Sequence, residues 1–271
     1  MNKVKGKVVV VTGASSGIGE ALVKEYASLG AKVVAAARQE DKLKAIVDEI
    51  TSRGGEAIYS VCDVVREEDC KLLLDKAVDR FGGVDIVICN AGLSMRAIFD
   101  DVELDVLHRL MDVNFWGCVN TVKYALPYIQ KSCGSIVGVS SVAGLHGLPA
   151  RTGYSASKYA MTGFLETIRI ENLKKGVHVM IACPGFTASN VRFSALNATG
   201  DTQGESPRDE AKMMTSEEVA KIIVKGVNSR KRLSLMEFNG RATHLIKKFF
   251  PAFLDRMFYS HMAKEPDSPL K

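Results

Sequence analysis

The chain has 271 residues, of which 46% are hydrophobic, and this length and composition predict one large α/β domain with a substantial core. Its net charge of +5 comes from 36 basic and 31 acidic residues, and the positive excess lies near the C-terminus rather than along a stripe, which argues against a nucleic-acid partner. Six cysteines lie far apart, with no C-x-x-C pair and no histidine at ligand spacing, so we expect reduced core thiols and no metal site.

Seven short β-branched runs alternate with longer segments of helical period. The runs begin at Lys7, Lys32, Glu56, Val84, Gly134, Val177 and Arg232. Their hydrophobicity is continuous rather than alternating, which is typical of strands buried on both faces of a parallel sheet. The pattern predicts a single Rossmann-type domain, with a doubly wound, seven-stranded parallel sheet and about six helices on its two faces.

The start of the chain enters an apolar run, GKVVVVTG, almost at once, without the longer apolar region and cleavage site of a signal peptide. No apolar run reaches the roughly 18 residues that a membrane-spanning helix needs. The sequence therefore predicts a cytoplasmic protein with no spanning helix.

Two segments interrupt the alternation of strands and helices. Residues 186–214 are rich in Ser, Thr, Asn, Gly and Pro, and a connection of this length predicts a substrate-binding lid. Residues 241–259 have apolar side chains at helical spacing, interrupted by Pro251, and predict an amphipathic tail. We therefore divide the chain into a catalytic domain, residues 1–240, and an amphipathic C-terminal extension, residues 241–271.

The sequence TGASSGIG joins the first predicted strand to the first predicted helix. Its glycines let the backbone turn tightly and approach a pyrophosphate, whose charge then meets the free amides at the helix start. Tight turns also use glycine for geometry alone, but the strand before, the helix after and the parallel sheet beyond favour a nucleotide site. The predicted cradle consists of Gly13, Ser15, Ser16, Gly17, Ile18 and Gly19.

The sequence YSASK places Tyr154 and Lys158 on one face of a predicted helix. In isolation, this spacing is typical of a surface tyrosine beside a solvated lysine. A phenolate at neutral pH costs about 4 kcal/mol, however, and an ammonium about 4 Å away at an effective dielectric constant of ~20 offers a similar free energy. The pair can therefore exchange a proton near neutral pH, as hydride transfer to a carbonyl requires.

Further motifs follow the glycine turn in a fixed order. They are CDV from Cys62, NAG from Asn90, Asn114 in DVNFWG, GVSS ending at Ser141, YSASK from Tyr154 and PGFT from Pro184. With these motifs and the spacing G-x-x-x-G-x-G, the chain resembles the short-chain dehydrogenase/reductase family, in its Y-x-x-x-K subgroup, over residues 7–238. One departure is Cys89, where the family often has asparagine. At a buried strand end, we expect it to have little effect on the chemistry.

The resemblance implies a role for each matched residue. Tyr154 would donate the proton, and Lys158 would lower the pKa of its phenol and hold the nicotinamide ribose. Ser141 would polarise the carbonyl, and Asn114 would anchor a water linking Lys158 to solvent. Taken in isolation, each residue also has a structural interpretation. Ser141 could be a hydroxyl in the turn at a strand end, and Asn114 could be a polar side chain within a helix that is hydrogen-bonded to the backbone. The remaining matched residues would bind the adenine, brace the cofactor and hold its nicotinamide side: Asp63 and Val64, then Asn90, Ala91 and Gly92, then Pro184, Gly185 and Thr187.

Cofactor preference depends on the end of the second strand, AAARQED. Ala37 takes the place where NAD-preferring relatives have aspartate, and Arg38 offers a charged fork suited to a 2′-phosphate, with Ser15 as an added hydroxyl. The sequence therefore favours NADP(H). If Arg38 is only a solvated strand-end cation, NAD(H) stays open.

The expected substrate pocket lies beyond Ser141 and Tyr154. Its predicted lining is apolar and comprises Leu93, Met95, Leu145, Leu148 and Phe186, which favours a hydrophobic ketone or alcohol. The long connection and aromatic tail look similar to those of membrane-associated reductases that act on steroid, retinoid or other lipid carbonyls.

The tail has two interpretations. It is either an anchor peripheral to a membrane, with Arg241, Lys247 and Lys248 meeting anionic lipid, or a helix packed over the cleft or a partner subunit. Packing is favoured, because amphipathic helices in globular proteins more often bury their apolar face.

The resemblance also implies a homodimer or homotetramer formed through the long helices at residues 103–131 and 153–175.

Two alternatives to an oxidoreductase stay open: a nucleotide-binding sensor or scaffold without chemistry, and an epimerase or dehydratase variant of the fold. The presence of Ser141, Tyr154 and Lys158 favours the enzyme. His146 and His178 lack a paired acid, so we expect a loop residue and a strand residue rather than catalytic bases.

Overall fold

The computed structural model describes residues 3–188, 194–204, 213–236, 238–265 and 268–270. The described strands are β1 (Val8–Thr12), β2 (Lys32–Ala37), β3 (Glu56–Val61), β4 (Ile86–Cys89), β5 (Ser135–Val139), β6 (His178–Cys183) and β7 (Leu233–Leu235). They form one seven-stranded sheet in the order β3-β2-β1-β4-β5-β6-β7, and every neighbouring pair is parallel. The sequence prediction of a doubly wound parallel sheet is confirmed.

The described helices occupy the crossovers and the C-terminal segment. They are α1 (Gly17–Ser28), α2 (Glu40–Ser52), α3 (Glu67–Phe81), α4 (Leu104–Met111), α5 (Gly117–Ser132), α6 (Thr152–Glu171), α7 (Ser216–Asn228), α8 (Phe238–Phe249) and α9 (Pro251–Ala263). A π-helical turn at Asp112–Trp116 joins α4 to α5, so the helix predicted over residues 103–131 is continuous but irregular near its middle. The helix predicted over 153–175 ends earlier, at Glu171, and a 3-10 turn follows it.

The core lies in two layers, one on each face of the sheet. Helices α1, α2 and α7 cover one face, and α3, α5 and α6 cover the other. Every residue of β1, β5 and β6 is buried, which explains why their hydrophobicity does not alternate along the sequence. Since burying one large aliphatic side chain contributes about 1.5–3 kcal/mol, these layers hold the sheet rigid beneath the loops at its carboxyl edge.

Strands β2 and β3 begin at the predicted residues, and the other five begin one or two residues later. The fourth strand begins at Ile86 rather than Val84, because the carboxylate of Asp85 accepts hydrogen bonds from Lys7 Nζ at 2.8 Å and from the Val8 amide at 2.9 Å. Asp85 thus ties the start of β1 to the start of β4, the two strands between which the winding of the sheet reverses. In doubly wound folds the crevice at this reversal is the usual ligand site.

The described parts of the predicted lid pack onto the domain. Leu196 bridges to Met95 and to Thr202, and a small apolar cluster contains Met95, Ala97, Val106, Leu110 and Leu196. The remaining lid residues, 189–193 and 205–212, lie outside the described part of the chain, so the proposed lid function stays a prediction.

The tail forms two helices rather than one interrupted helix. Pro251 is the first residue of α9, where a missing amide hydrogen removes no helical hydrogen bond. Lys247 of α8 donates to the Leu145 carbonyl at 2.6 Å, and Arg96 pairs with Glu265 beyond α9 at 2.8 Å. The tail is therefore held against the loops that surround the carboxyl edge of the sheet, as the packing interpretation expects.

Cysteine placement differs in one position from the expected core thiols. All six thiols are free, and five are buried, but Cys133 is exposed after the end of α5.

Among the helices that the structure describes, no segment combines the length and apolar composition required to cross a bilayer.

Candidate active site

A cleft of about 550 Å³ opens at the carboxyl edge of the sheet, beside the reversal between β1 and β4. Seventeen predicted site residues line it: Gly13, Ser15, Ser16, Gly17, Ile18, Arg38, Asp63, Val64, Asn90, Ala91, Gly92, Ser141, Tyr154, Lys158, Pro184, Gly185 and Thr187. Gly19 and Asn114 are not among the lining residues, but Gly19 lies against Gly13 and Asn90, and Asn114 lies against Gly92 and Leu93, all of which line the cleft.

The glycine turn has a backbone that other residues would disturb. Gly13 has a φ of +65°, and a Cβ atom on it would lie 2.7 Å from the Cα atom of Ala91. A Cβ on Gly19 would collide with the Gly13 carbonyl oxygen. These close approaches leave an uncovered backbone at the start of α1, with room for a pyrophosphate beside the helix amides. The cradle thus fits the dinucleotide that the sequence predicts.

Thr12 and Asn90 join the two strands on either side of the reversal. The Thr12 hydroxyl accepts hydrogen bonds from the amides of Asn90 and Ala91, each at 3.1 Å. The Asn90 carboxamide donates to the carbonyls of Thr12 at 2.9 Å and Gly13 at 3.1 Å. Sequence reasoning gave Asn90 a bracing role but missed the hydroxyl of Thr12, which fixes the distance between the glycine turn and the NAG segment.

Two cations stand at the end of β2, where the predicted 2′-phosphate would lie. Arg38 and Lys42 are both exposed and both line the cleft, and Ala37 lies beside them. Lys42 follows Arg38 by four residues, in the first turn of α2, and sequence reasoning missed it. The four-residue separation of Arg38 and Lys42 could be read from the sequence. It did not place the two side chains together, because the boundary between β2 and α2 lies between them.

Tyr154, in the first turn of α6, contacts Ser141 at the end of β5. Burial raises the pKa of the Tyr154 phenol above its ordinary value, and two neighbours oppose this effect: the Ser141 hydroxyl and the positive charge of Arg151. The phenol therefore keeps its proton at neutral pH. Arg151, three residues before Tyr154, supplies an acidifying charge that sequence reasoning assigned to Lys158 alone.

Lys158 lies one turn after Tyr154 and is 3% exposed. Its Nζ is 5.8 Å from the centre of the Tyr154 ring and donates to the Val139 carbonyl at 2.8 Å. Burial lowers the pKa of this amine to about 8. An amine with this pKa can exchange a proton near neutral pH, which an ordinary surface lysine does not do readily.

Asn114 occupies the π-helical turn between α4 and α5 and is fully buried. Its Oδ1 accepts from the Leu93 amide at 2.7 Å, and its Nδ2 donates to the Leu93 carbonyl at 3.0 Å and to Ser157 Oγ at 2.8 Å. A Cβ on Gly92 would be 3.0 Å from Asn114 Oδ1 and 3.3 Å from Lys158 Nζ, so the amide and the amine approach the same backbone. The structure thus brings Asn114, Tyr154, Lys158 and Ser141 to one end of the cleft.

Comparison with known proteins agrees with this geometry. Residues 7–199 match the model of the family described as short chain dehydrogenase. The chain belongs to this family. It is 33% identical to 11-beta-hydroxysteroid dehydrogenase A of Sesamum indicum over 275 residues, covering 99% of this chain and 79% of that protein. It is 40% identical to 11-beta-hydroxysteroid dehydrogenase-like 2 of Arabidopsis thaliana over 190 residues, covering 69% of this chain and 61% of that protein.

Two solved structures share the fold of this short-chain dehydrogenase. An alcohol dehydrogenase from Thermococcus sibiricus, complexed with 5-hydroxy-NADP, is 27% identical with a TM-score of 0.73, covering 84% of this chain and 94% of its own. A short chain dehydrogenase/reductase from Burkholderia phymatum, in complex with NAD, is 25% identical with a TM-score of 0.83, covering 93% of this chain and 96% of its own.

Apolar side chains line part of the cleft besides the residues predicted to bind the cofactor. Leu93, Leu148 and Phe186 line it as predicted, and the tail adds Phe258 and the buried Thr243. Sequence reasoning missed both tail residues. Two predicted lining residues point elsewhere: Met95 is buried in the cluster with Leu196, and Leu145 packs on the main core.

The two histidines that the sequence analysis did not assign to catalysis make packing and hydrogen-bond contacts within the fold. His178 in β6 is buried, with Nδ1 3.0 Å from Ser135 Oγ and Nε2 3.0 Å from the Lys231 carbonyl. His146 stacks on Phe258 with ring centres 4.9 Å apart, and its Nε2 is 3.8 Å from Asp255 Oδ1. Burial lowers the pKa of both rings, so both are neutral at pH 7. His146 therefore belongs to the contact between the tail and the loop after β5.

Proposed function

We propose that this short-chain dehydrogenase is an NADP(H)-dependent oxidoreductase that reduces a ketone, or oxidises a secondary alcohol, on a hydrophobic, lipid-like or steroid-like substrate. The observation that carries the proposal is that Tyr154, Lys158 and Ser141 line one cleft together with the dinucleotide cradle and apolar side chains, and that burial raises the pKa of the Tyr154 phenol. When bound, the nicotinamide cofactor supplies or accepts the hydride.

In ketone reduction, Tyr154 is the proton donor. Its raised pKa keeps the hydroxyl protonated until the substrate oxygen gains negative charge, and the proton then moves from the phenol oxygen to that oxygen. Ser141 donates a hydrogen bond to the same oxygen, which lowers the free energy of the developing charge. The Arg151 charge stabilises the phenolate that remains.

Lys158 prepares Tyr154 for the next turnover. Its amine has a pKa of about 8, so it can return a proton towards the phenolate and recover one from solvent. Asn114 holds the backbone beside this amine, through its paired contacts with Leu93. The proposed ribose contact of Lys158 and the water held by Asn114 complete this set as the family resemblance implies.

Tyr154→Phe tests the proton donor. We expect kcat/KM for ketones to fall by about 10²- to 10⁴-fold, because the variant keeps the ring but loses the proton. NADPH binding, followed by nucleotide fluorescence, should stay within about twofold, and Tyr128→Phe, on α5, is the matched control that keeps turnover. Undiminished turnover in Tyr154→Phe would overturn the proposal.

The preference for NADP(H) is supported by Arg38 and Lys42 at the cleft and by the lack of an acidic side chain at Ala37. Arg38→Ala should weaken NADPH binding by about ten- to a hundredfold, since a charge-assisted hydrogen bond contributes about 1.5–3 kcal/mol, while NADH binding changes little. Lys42→Ala should act in the same direction and Lys44→Ala, also exposed on α2, should not. Equal losses for both nucleotides in Arg38→Ala would mean that Arg38 does not bind the 2′-phosphate, and would contradict the NADP(H) preference proposed from it.

The substrate class is supported by the apolar side chains that line the cleft and by the names of the 11-beta-hydroxysteroid dehydrogenase relatives. NADPH oxidation over a panel of steroids, retinoids, long-chain 3-oxo lipids and aromatic ketones tests it. We expect turnover on large apolar ketones and little on sugar phosphates, whose charge an apolar wall would have to desolvate.

The proposed homodimer or homotetramer draws support from exposed apolar residues near the expected helical interface. Trp116, Ile170 and Leu173 are all more than half exposed in the single chain. A stable oligomer would cover such residues. Sedimentation equilibrium distinguishes the two assemblies.

A further inference from the structure

The tail helices expose a second apolar surface, separate from the one that lines the cleft. We call it the outer tail face, and it consists of Leu245, Phe249, Phe250, Phe253 and Met257. The first four of these side chains are 61–66% exposed and Met257 is 40% exposed. A contiguous stretch of large apolar side chains with this exposure usually marks an interaction surface.

Helical spacing separates the outer tail face from the inner one. In α9, Leu254, Phe258 and Met262 recur every four residues and turn inward, where Leu254 is fully buried and Phe258 lines the cleft. Phe253 and Met257 also lie four residues apart, about 100° around the helix from Leu254 and Phe258, and both are exposed. The tail therefore has two apolar stripes. One packs on the domain, and the other is exposed to solvent.

Basic side chains accompany the outer tail face. Lys248 and Arg256 are exposed, next to Phe249 and Met257 in sequence, and the Lys248 ammonium stands 5.7 Å from the centre of the Phe249 ring. Residues 238–265 contain five basic and two acidic side chains. One of the two acidic residues, Glu265, is paired with Arg96, so the tail presents a net positive charge. The side chain of Arg241, a predicted lipid contact, lies outside the described residues.

We propose that the outer tail face docks on a negatively charged lipid surface, with α8 and α9 lying in the plane of the interface. Exposed aromatic residues bordered by Lys and Arg fit the boundary between acyl chains and anionic headgroups. A second copy of the chain fits less well, because a two-fold contact through this face would place the same net positive charge on both sides of the interface.

Vesicle sedimentation with the full chain tests the proposal without substrate, so its outcome does not depend on the proposed reaction. We expect the chain to pellet with phosphatidylcholine vesicles that contain phosphatidylglycerol, and to do so less at high salt. Phe249→Gln/Phe253→Gln should reduce the partition coefficient by about tenfold or more. Lys248→Gln/Arg256→Gln should reduce it by about ten- to thirtyfold on anionic vesicles alone.

Phe99→Gln is the matched control, because Phe99 is 58% exposed but lies outside the tail, and its variant should bind as the unaltered chain does. Phe250→Gln alone is a milder variant if the double change prevents folding, as judged by NADPH binding and the melting temperature. Binding that is unaffected by the tail changes, or an unaltered chain that stays in the supernatant, would overturn the proposal. A dimer that Phe249→Gln/Phe253→Gln converts to a monomer without lipid would identify a protein interface instead.

Discussion

Lys158 combines an almost inaccessible position with a proton that it holds weakly. The side chain is 3% exposed, and burial lowers the pKa of its amine to about 8. Against an ordinary lysine pKa of about 10.4, this shift corresponds to about 3 kcal/mol by which folding disfavours the ammonium at neutral pH. The amine donates a hydrogen bond to the Val139 carbonyl, and this cost is what remains with that hydrogen bond in place. Costs of this kind are concentrated at functional sites.

Lys158→Met should therefore raise the free energy of unfolding by about 1–3 kcal/mol at about pH 7, while removing turnover. The increase can be as small as about 1 kcal/mol, because the variant leaves the Val139 carbonyl without its hydrogen-bond donor. Between about pH 8 and pH 10, the unfolded chain binds more protons at this position than the folded chain, so the unaltered protein gains stability as pH rises relative to the variant. Urea unfolding at both ends of that range checks this. An advantage of the variant that stays constant with pH would contradict the lowered pKa.

Residues whose geometry is local could be predicted from the sequence. The glycines of the cradle and the i, i+4 pair of Tyr154 and Lys158 each depend on only a few consecutive residues. Arg151 and Phe258 could not be predicted, because their positions beside Tyr154 depend on how the loop after β5 and the tail pack. The catalytic roles themselves stay predictions that the proposed variants test.

At the scale of elements, the long helix from α4 to α5 shows that a hydrophobic pattern predicts the extent of a helix but not an irregular turn within it. Its extent was predictable, because apolar residues recur at helical spacing on both sides of residue 114. The π-helical turn was not, because a wider turn costs little locally and is stabilised here by the contacts of Asn114 with Leu93 and Ser157. Turns of this kind occur frequently at functional sites.

The attachment of the tail rests on a few specific polar contacts. Arg96 and Glu265, with side chains 8% and 13% exposed, join the loop after β4 to the end of α9 at 2.8 Å. Lys247 joins α8 to the loop after β5 through the Leu145 carbonyl and to α6 through the Tyr159 hydroxyl. Both loops carry substrate-side residues, so the position of the tail and the shape of the cleft are linked.

Arg96→Met should loosen α9 without unfolding the domain. Removing one partner of a buried ion pair typically costs about 3–5 kcal/mol, enough to accelerate local opening by tenfold or more. Hydrogen exchange of the α9 amides measures this opening. Lys71→Met, which removes the exposed pair with Asp75 at 2.8 Å, is the control and should leave exchange in α9 unchanged. Equal exchange in Arg96→Met and the unaltered chain would mean that apolar packing alone holds the tail.

For the whole molecule, the parallel sheet and the location of its cleft followed from continuous apolar strands and short crossovers, since few topologies satisfy both. The surface that the tail covers did not follow from the sequence. The pattern of the tail favoured packing over a membrane anchor but left the cleft and a partner subunit open, and the fold shows one apolar stripe of α9 at the cleft and the other in solvent. An amphipathic period gives the direction of an apolar face but does not identify what covers it.

The boundary proposed at Gly240 gives a prediction about the entire chain. The buried residues of the two large core clusters lie between Val4 and Val227, so a chain ending at Gly240 should unfold cooperatively and bind NADPH within about twofold of the full chain. Its KM for an apolar ketone should rise by about tenfold or more, because the wall formed by Thr243 and Phe258 is lost. Phe258→Ala in the full chain should shift KM in the same direction without shortening the protein. Loss of NADPH binding on truncation would instead make the tail an integral part of the catalytic domain.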